Sequence, residues 1–155
     1  MPSTSRLLIV AALLAGLAVY GSLKSSAATG PEFIRITERQ FGYTRVNIGS
    51  PARGPGDQEI IFDKLFNRRI TRKAIGTARF ICTFTARRMR ICTATFNLPK
   101  GELVATGTVR FRQFYDLAIV GGTGLYDDAR GTLTIIRTTK PPRAIRELLY
   151  FRLTG

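Results

Sequence analysis

Histidine and tryptophan are absent from the 155 residues, and there are only two cysteines, two methionines and ten acidic residues. Without histidine, a serine triad, a Cys–His pair and any His-ligated metal centre are excluded. Two cysteines cannot build a thiolate zinc cage. Neither a Walker loop nor a G-x-G-x-x-G turn occurs, which removes the common nucleotide-binding folds. On these grounds no cofactor and no metal are expected. What is present is a large cationic excess: 24 Lys and Arg against the ten acids give a net charge of +14. Hydrophobic content is 45% and charged content 22%, a globular balance. The length suits one domain.

The first thirty residues stand apart from the rest. A short polar start with one cation, Arg6, leads into an almost wholly apolar run, Leu7–Leu23, followed by Lys24 and the small residues Ser25, Ser26, Ala27 and Ala28. This is the pattern of a secretory signal, with cleavage expected after Ala28. Residues 1–28 are therefore read as the signal peptide and 29–155 as the exported, secreted or extracytoplasmic domain. The apolar run also sits near the lower limit of about 17–25 residues for a membrane span, so an uncleaved anchor is the alternative. Cleavage removes only Arg6 and Lys24 among the charges and leaves the domain strongly basic.

The remainder reads as strands: Phe33–Thr37, Glu59–Phe66, Ile75–Thr85, Arg90–Leu98, Glu102–Phe111, Tyr115–Val120, Gly131–Thr138 and Arg146–Leu153. These runs are rich in Ile, Thr, Phe, Val and Tyr and are bounded by Gly, Pro and Asn clusters. About eight short strands with brief turns point to an all-β sandwich or closed barrel. The Gly- and Pro-rich stretch Arg45–Asp57 reads as a long loop at the mouth.

One hairpin is legible in detail. With Cys82 opposite Cys92, Thr85 falls opposite Met89 and the turn is Ala86-Arg87-Arg88. Alternation then places Phe80, Cys82, Phe84, Cys92, Ala94 and Phe96 on one apolar face. The other face carries Thr77, Arg79, Thr83, Thr85, Thr93 and Thr95. Directly opposed cysteines at a non-hydrogen-bonded pair form a cross-strand disulfide, and export permits one. Two free thiols packed as small hydrophobes are the other reading.

The segment Ala118–Gly131, AIVGGTGLYDDARG, resembles a turn shared by the plant allene oxide cyclases and the dirigent proteins. Upstream, Gly56–Phe66 resembles the cyclase strand that begins G-D and ends N-K-L-Y. Ile75–Ala78 leading to Cys82 resembles V-G-I-T-A followed by cysteine, and Gly101–Gly107 resembles G-H-L-S-V-Q-G. The chain also resembles bacterial exported members of this barrel group, which carry a cysteine pair at this hairpin and a turn like Leu98-Pro99-Lys100-Gly101. The resemblance implies an eight-stranded antiparallel β-barrel, allene oxide cyclase- or dirigent-like, and a homo-oligomer. It does not imply cyclase activity. The plant enzyme's glutamate falls on Arg35, its asparagine on Asp63, the preceding valine on Glu59 and its tyrosine on Val109; only the cysteine, Cys82, is kept.

The replacements form a candidate site. Glu59, Ile61 and Asp63 share a strand face, and Arg35 facing the two carboxylates would make charge-assisted hydrogen bonds in the lumen. Asp63, Glu59 and Arg35 are therefore the catalytic candidates. A one-residue shift of the first strand would instead turn Ile34 and Ile36 inward and Arg35 to water. Phe80, Cys82, Phe84, Phe96 and Val109 are the candidate ligand-lining residues, and the expected ligand is an apolar small molecule. The expected function is a cyclase- or isomerase-like barrel, with a non-catalytic dirigent-like steering protein or a structural surface protein as alternatives. The basic clusters Asn67–Lys73 and Arg87–Arg90 suit an acidic polymer or an anionic membrane surface. No nucleic-acid motif is present, and along the chain no aromatics are interleaved with these clusters, so no specific nucleic-acid partner is expected.

Overall fold

The computed structural model describes residues 32–67, 73–110, 114–138 and 145–154; the apolar run Leu7–Leu23 and the cleavage position lie outside the described residues. The strands are β1 (Glu32–Val46), β2 (Gln58–Phe66), β3 (Gly76–Ala86), β4 (Met89–Leu98), β5 (Gly101–Arg110), β6 (Phe114–Gly122), β7 (Arg130–Arg137) and β8 (Arg146–Thr154), with one short 3-10 turn, Gly124–Tyr126. Each strand pairs antiparallel with the next and β8 returns to β1, closing the barrel. Closure leaves no unpaired strand edge, so every strand shows one face to the lumen and one to water.

Period-2 alternation decides which residues enter the lumen. Ala78, Phe80, Cys82 and Phe84 of β3 and Cys92, Ala94 and Phe96 of β4 are all buried, as the alternation requires. One half of the lumen is packed solid. Phe96 sits edge-on to Phe80 at 5.6 Å and to Phe151 at 5.0 Å between ring centres. Leu65, Leu103, Leu133 and Leu149 fill the space around them with no exposed surface. Edge-to-face rings add a little to the stabilisation from burial alone.

The G-G-T-G segment closes that packed end. Leu125 N–H donates to Lys100 O at 2.9 Å and Thr123 N–H to Glu102 O at 2.8 Å, tying the 3-10 turn to the start of β5. Gly124 has φ +66 and Gly131 has φ +139. At Gly131 a Cβ would also run into the carbonyl of Arg152 across the β7–β8 pair, so only glycine fits there.

Three local expectations are corrected. The first strand is longer than Phe33–Thr37 and runs to Val46, so the long loop begins at residue 47, not at Arg45. The polar stretch after Thr37 hides this extension, because its partners in β2, not its own hydrophobicity, hold it in the sheet. The hairpin turn is also tighter than three residues. Ala86 pairs with Met89, leaving Arg87 and Arg88 at the tip and Thr85 as an extra residue in a bulge. Without a glycine the three-residue loop lacks its usual left-handed position, and the bulge absorbs the odd residue instead. A feature outside those expectations is a bulge in β1 between Gln40 and Gly42. That single extra residue, Phe41, switches the inward face from the even positions 34, 36 and 38 to the odd positions 43 and 45.

Candidate functional site

The other half of the lumen is polar. It lies at the end where odd-numbered strands finish and even-numbered strands begin. Glu38 and Gln40 come from β1, Asp63 and Glu59 from β2, Arg90 from β4, Tyr115 from β6, Arg137 from β7 and Glu147 from β8. With Ile61, Phe80, Cys82 and Ile145, all of these but Glu59 surround a cavity of about 20 Å³, room for about one water molecule.

Two of the four lumen acids are held by arginines. Glu59 accepts from Arg90 Nη1 at Oε2, from Tyr43 OH at 2.8 Å at Oε1, and lies 3.0 Å from Arg53 Nη2. The β1 bulge is what turns Tyr43 toward this carboxylate. Glu147 accepts from Arg137 Nε at 2.9 Å and from Tyr115 OH at 3.2 Å. Pairing with hydrogen bonds is what makes such burial tolerable.

Glu38 and Asp63 have no such cation against them in an ion pair among the described residues. Glu38 stands directly opposite Glu147 in the β1–β8 register, is 3% exposed, and its Oε2 has no hydrogen-bond partner. Burial, then the negative charges of Asp63 and Glu147, push its carboxyl well above the usual carboxylate range. Burial, reinforced by Glu147, raises Asp63 from 3.8 to about 7. The Tyr115 phenol is driven well above its ordinary value, first by burial and then by Glu147 and Glu38. Both buried carboxyls therefore hold a proton more tightly than free acids do, and Asp63, near 7, is poised to give or take one at neutral pH.

The loop 47–57 at this mouth is built around Asp57. Its carboxylate accepts from Ile48 N–H at 2.9 Å, Gly54 N–H at 3.1 Å and Arg45 Nη2 at 2.8 Å. The Ile48 bond and then Arg45 hold this carboxyl below its usual value. The same loop carries Arg53, which reaches Glu59 and lies over the Phe84 ring at 5.8 Å. In the wall below, Cys82 and Cys92 are joined in a disulfide, with Cα atoms 4.0 Å apart. A disulfide fits an extracellular protein.

Several solved structures share this architecture. Pyocyanin demethylase is 26% identical, with a TM-score of 0.66, over 79% of this chain and 100% of its own. A pterocarpan synthase dirigent protein is 16% identical, with a TM-score of 0.65, over 84% of this chain and 92% of its own. The chain has the closed-barrel fold of these proteins. The Diels–Alderase AbmU from Streptomyces koyangensis shares the fold at 18% identity and a TM-score of 0.61, over 79% of this chain and 64% of its own. No family model and no curated protein matches the chain.

Within this barrel the expected site residues part company. Asp63 and Glu59 are both inside, on adjacent inward positions either side of Ile61. Glu59 is fully engaged with Arg90, Tyr43 and Arg53, whereas Asp63 faces the cavity. Arg35 is outside: Ile36 is buried, Arg35 is exposed, and its guanidinium lies over the Tyr150 ring at 5.6 Å. The cluster of Arg35 with Glu59 and Asp63 does not form, because the alternation set by Ile34 and Ile36 turns Arg35 to water. Phe80 and Cys82 border the cavity. Phe84, Phe96 and Val109 are buried without bordering it. The open space is thus polar and small, not a wide oily lumen. Among the described residues no group of three His, Cys, Asp or Glu side chains is placed to hold a metal ion.

Glu38, Tyr115, Arg137, Glu147 and Arg90 were not among the sequence candidates, yet a readable signal marks each. Each is the polar end of an alternating inward series: Ile34-Ile36-Glu38, Tyr115-Leu117-Ile119, Leu133-Ile135-Arg137, Glu147-Leu149-Phe151 and Arg90-Cys92-Ala94-Phe96. In an up-and-down barrel these ends fall at the same mouth, since successive strands run in opposite directions.

Proposed function

We propose that this is an exported barrel that binds a small, mostly apolar molecule at its polar mouth and rearranges it by proton transfer, as a cyclase or isomerase and not an allene oxide cyclase. The observation that carries this reading is a pair of carboxyls, Glu38 and Asp63, that form no ion pair among the described residues and face one cavity with Tyr115. A carboxyl near 7 both donates and recovers a proton at neutral pH, the requirement for general acid–base work. The packed half of the lumen forms a rigid floor. The cavity admits only the polar tip of a ligand, so the apolar body would lie outside it at the mouth, with the loop 47–57 moving aside.

A second reading is a non-catalytic steering or structural protein. It is favoured by the size of the cavity, which as it stands holds no more than a water. Native mass spectrometry of the protein after incubation with an organic extract of its host separates the two. The expected result is an adduct of a few hundred daltons in both the natural protein and Asp63→Asn, with chemical conversion of the bound compound only in the former. Absence of any adduct would reject ligand binding, and equal conversion by both proteins would remove Asp63 from the chemistry.

A further inference from the structure

The outward row of β1 reads Phe33, Arg35, Thr37, Arg39, Phe41, with Thr37 buried at its centre. On one side lies the outward row of β8, with Arg146, Leu148, Tyr150 and Arg152; on the other, that of β2, with Phe62, Lys64 and the buried Phe66. Arg79 of β3 stands next to Phe62. The outward positions of these four strands contain no acidic residue. The basic clusters Asn67–Lys73 and Arg87–Arg90 have no aromatics among them, whereas β1 interleaves rings and cations along its own length, and register adds those of β8 and β2 beside it. The rings carry cations on their faces: Arg35 over Tyr150 at 5.6 Å, Arg39 over Phe66 at 5.5 Å, Lys64 over Phe41 at 5.4 Å. At the two ends of the β1 row, Phe33 is 63% and Phe41 57% exposed.

We propose that this face docks the barrel on an anionic phospholipid surface, through the two exposed ends of the β1 row and the cations beside them. Phe33 and Phe41 stand about 27 Å apart at the rise of a strand, with the buried Thr37 between them. Exposed aromatics at the ends sit at headgroup depth, and the flanking Arg and Lys meet lipid phosphates. Several observations favour this occupant. A second copy of the same face is repelled, since every charge on it is positive. Base stacking on a single-stranded nucleic acid needs open ring faces, and here Tyr150 and Phe41 are each covered by a cation and Phe66 is buried. The lumen site takes no part.

The test is partitioning of the full chain onto vesicles of phosphatidylcholine alone and of phosphatidylcholine with phosphatidylglycerol. Tighter binding to the anionic vesicles than to the neutral ones, with the difference weakening with salt, is expected. The triple substitution Arg35→Gln, Arg39→Gln, Lys64→Gln should reduce that binding by roughly a hundredfold, at roughly fivefold for each cation. The triple substitution Arg87→Gln, Arg88→Gln, Arg110→Gln removes the same charge from the hairpin tip and the end of β5 and should reduce it far less. Both sets replace surface residues, and a thermal melt confirms that each variant is folded. The full chain carries its apolar N-terminal run in every arm, so that run cancels from the comparison. Equal losses in the two triples would mean that net charge alone is responsible and would overturn the proposal. So would equal binding to both vesicle types, or binding to oligothymidine in place of vesicles that the first triple abolishes.

Discussion

Asp63 should make the protein less stable as the pH rises. Its carboxyl titrates at about 7 in the folded chain against an ordinary 3.8, because burial and the nearby Glu147 disfavour the charge. The folded state therefore keeps a proton that the unfolded chain gives up between these two values. Stability is highest below the unfolded value, declines by about 1.4 kcal/mol per pH unit across the interval, and levels off above pH 7. The accumulated loss is about 4 kcal/mol, a large part of the roughly 5–15 kcal/mol that holds a domain of this size folded. Asp63→Asn keeps the shape and removes the ionisation. It should match the natural protein near pH 4 and exceed it by several kcal/mol near pH 8. Part of this gain comes through Glu38, whose own carboxyl is pushed up by Asp63. Urea titrations at pH steps from 4 to 9, with the disulfide intact in both proteins, measure the difference directly. A difference that stays constant across the range would mean that Asp63 ionises as an ordinary surface acid, and both the burial argument and the acid–base reading would fail.

Other outcomes follow from the same geometry. Replacing Cys82 and Cys92 together by alanine opens a closure of ten residues in sequence separation and should cost about 3 kcal/mol, read from melting with and without reductant. Arg90→Ala leaves Glu59 buried with only the mouth residues Tyr43 and Arg53 against it and should cost about 3–5 kcal/mol in urea, whereas Arg90→Met combined with Glu59→Gln should recover most of that. Asp57 is held below its ordinary value, so its contacts are complete above pH 4 and are lost as the pH falls through its folded value. Asp57→Asn should speed hydrogen exchange at the Ile48 and Gly54 amides at neutral pH and leave the strands of the packed half unaffected.

The residues of the candidate site show where reading along the chain stops. Phe80, Cys82, Phe84 and Phe96 could be placed inward from alternation alone, since each strand repeats every two residues whatever its neighbours do. The cysteine pairing followed from one hairpin, a contact between segments close in sequence. Arg35 was a matter of register, and the alternation of Ile34 and Ile36 already pointed it outward; burial of Ile36 makes that the winning consideration. Glu38 and Glu147 lie more than a hundred residues apart and meet only when β8 closes onto β1. Their mutual effect on protonation cannot be read from either local sequence.

The sequence by itself placed eight strands, the inward face of the β3–β4 hairpin with its two opposed cysteines and, through a resemblance, the barrel. Only the tertiary structure decided that the polar ends of several inward series converge in one mouth, that Phe41 bulges and turns Tyr43 toward Glu59, and that rings and cations alternate across β8, β1 and β2. The physical reason is one of range. Alternation and turn chemistry act over a few residues, whereas burial, charge coupling and surface patterning depend on which strands become neighbours when the sheet closes.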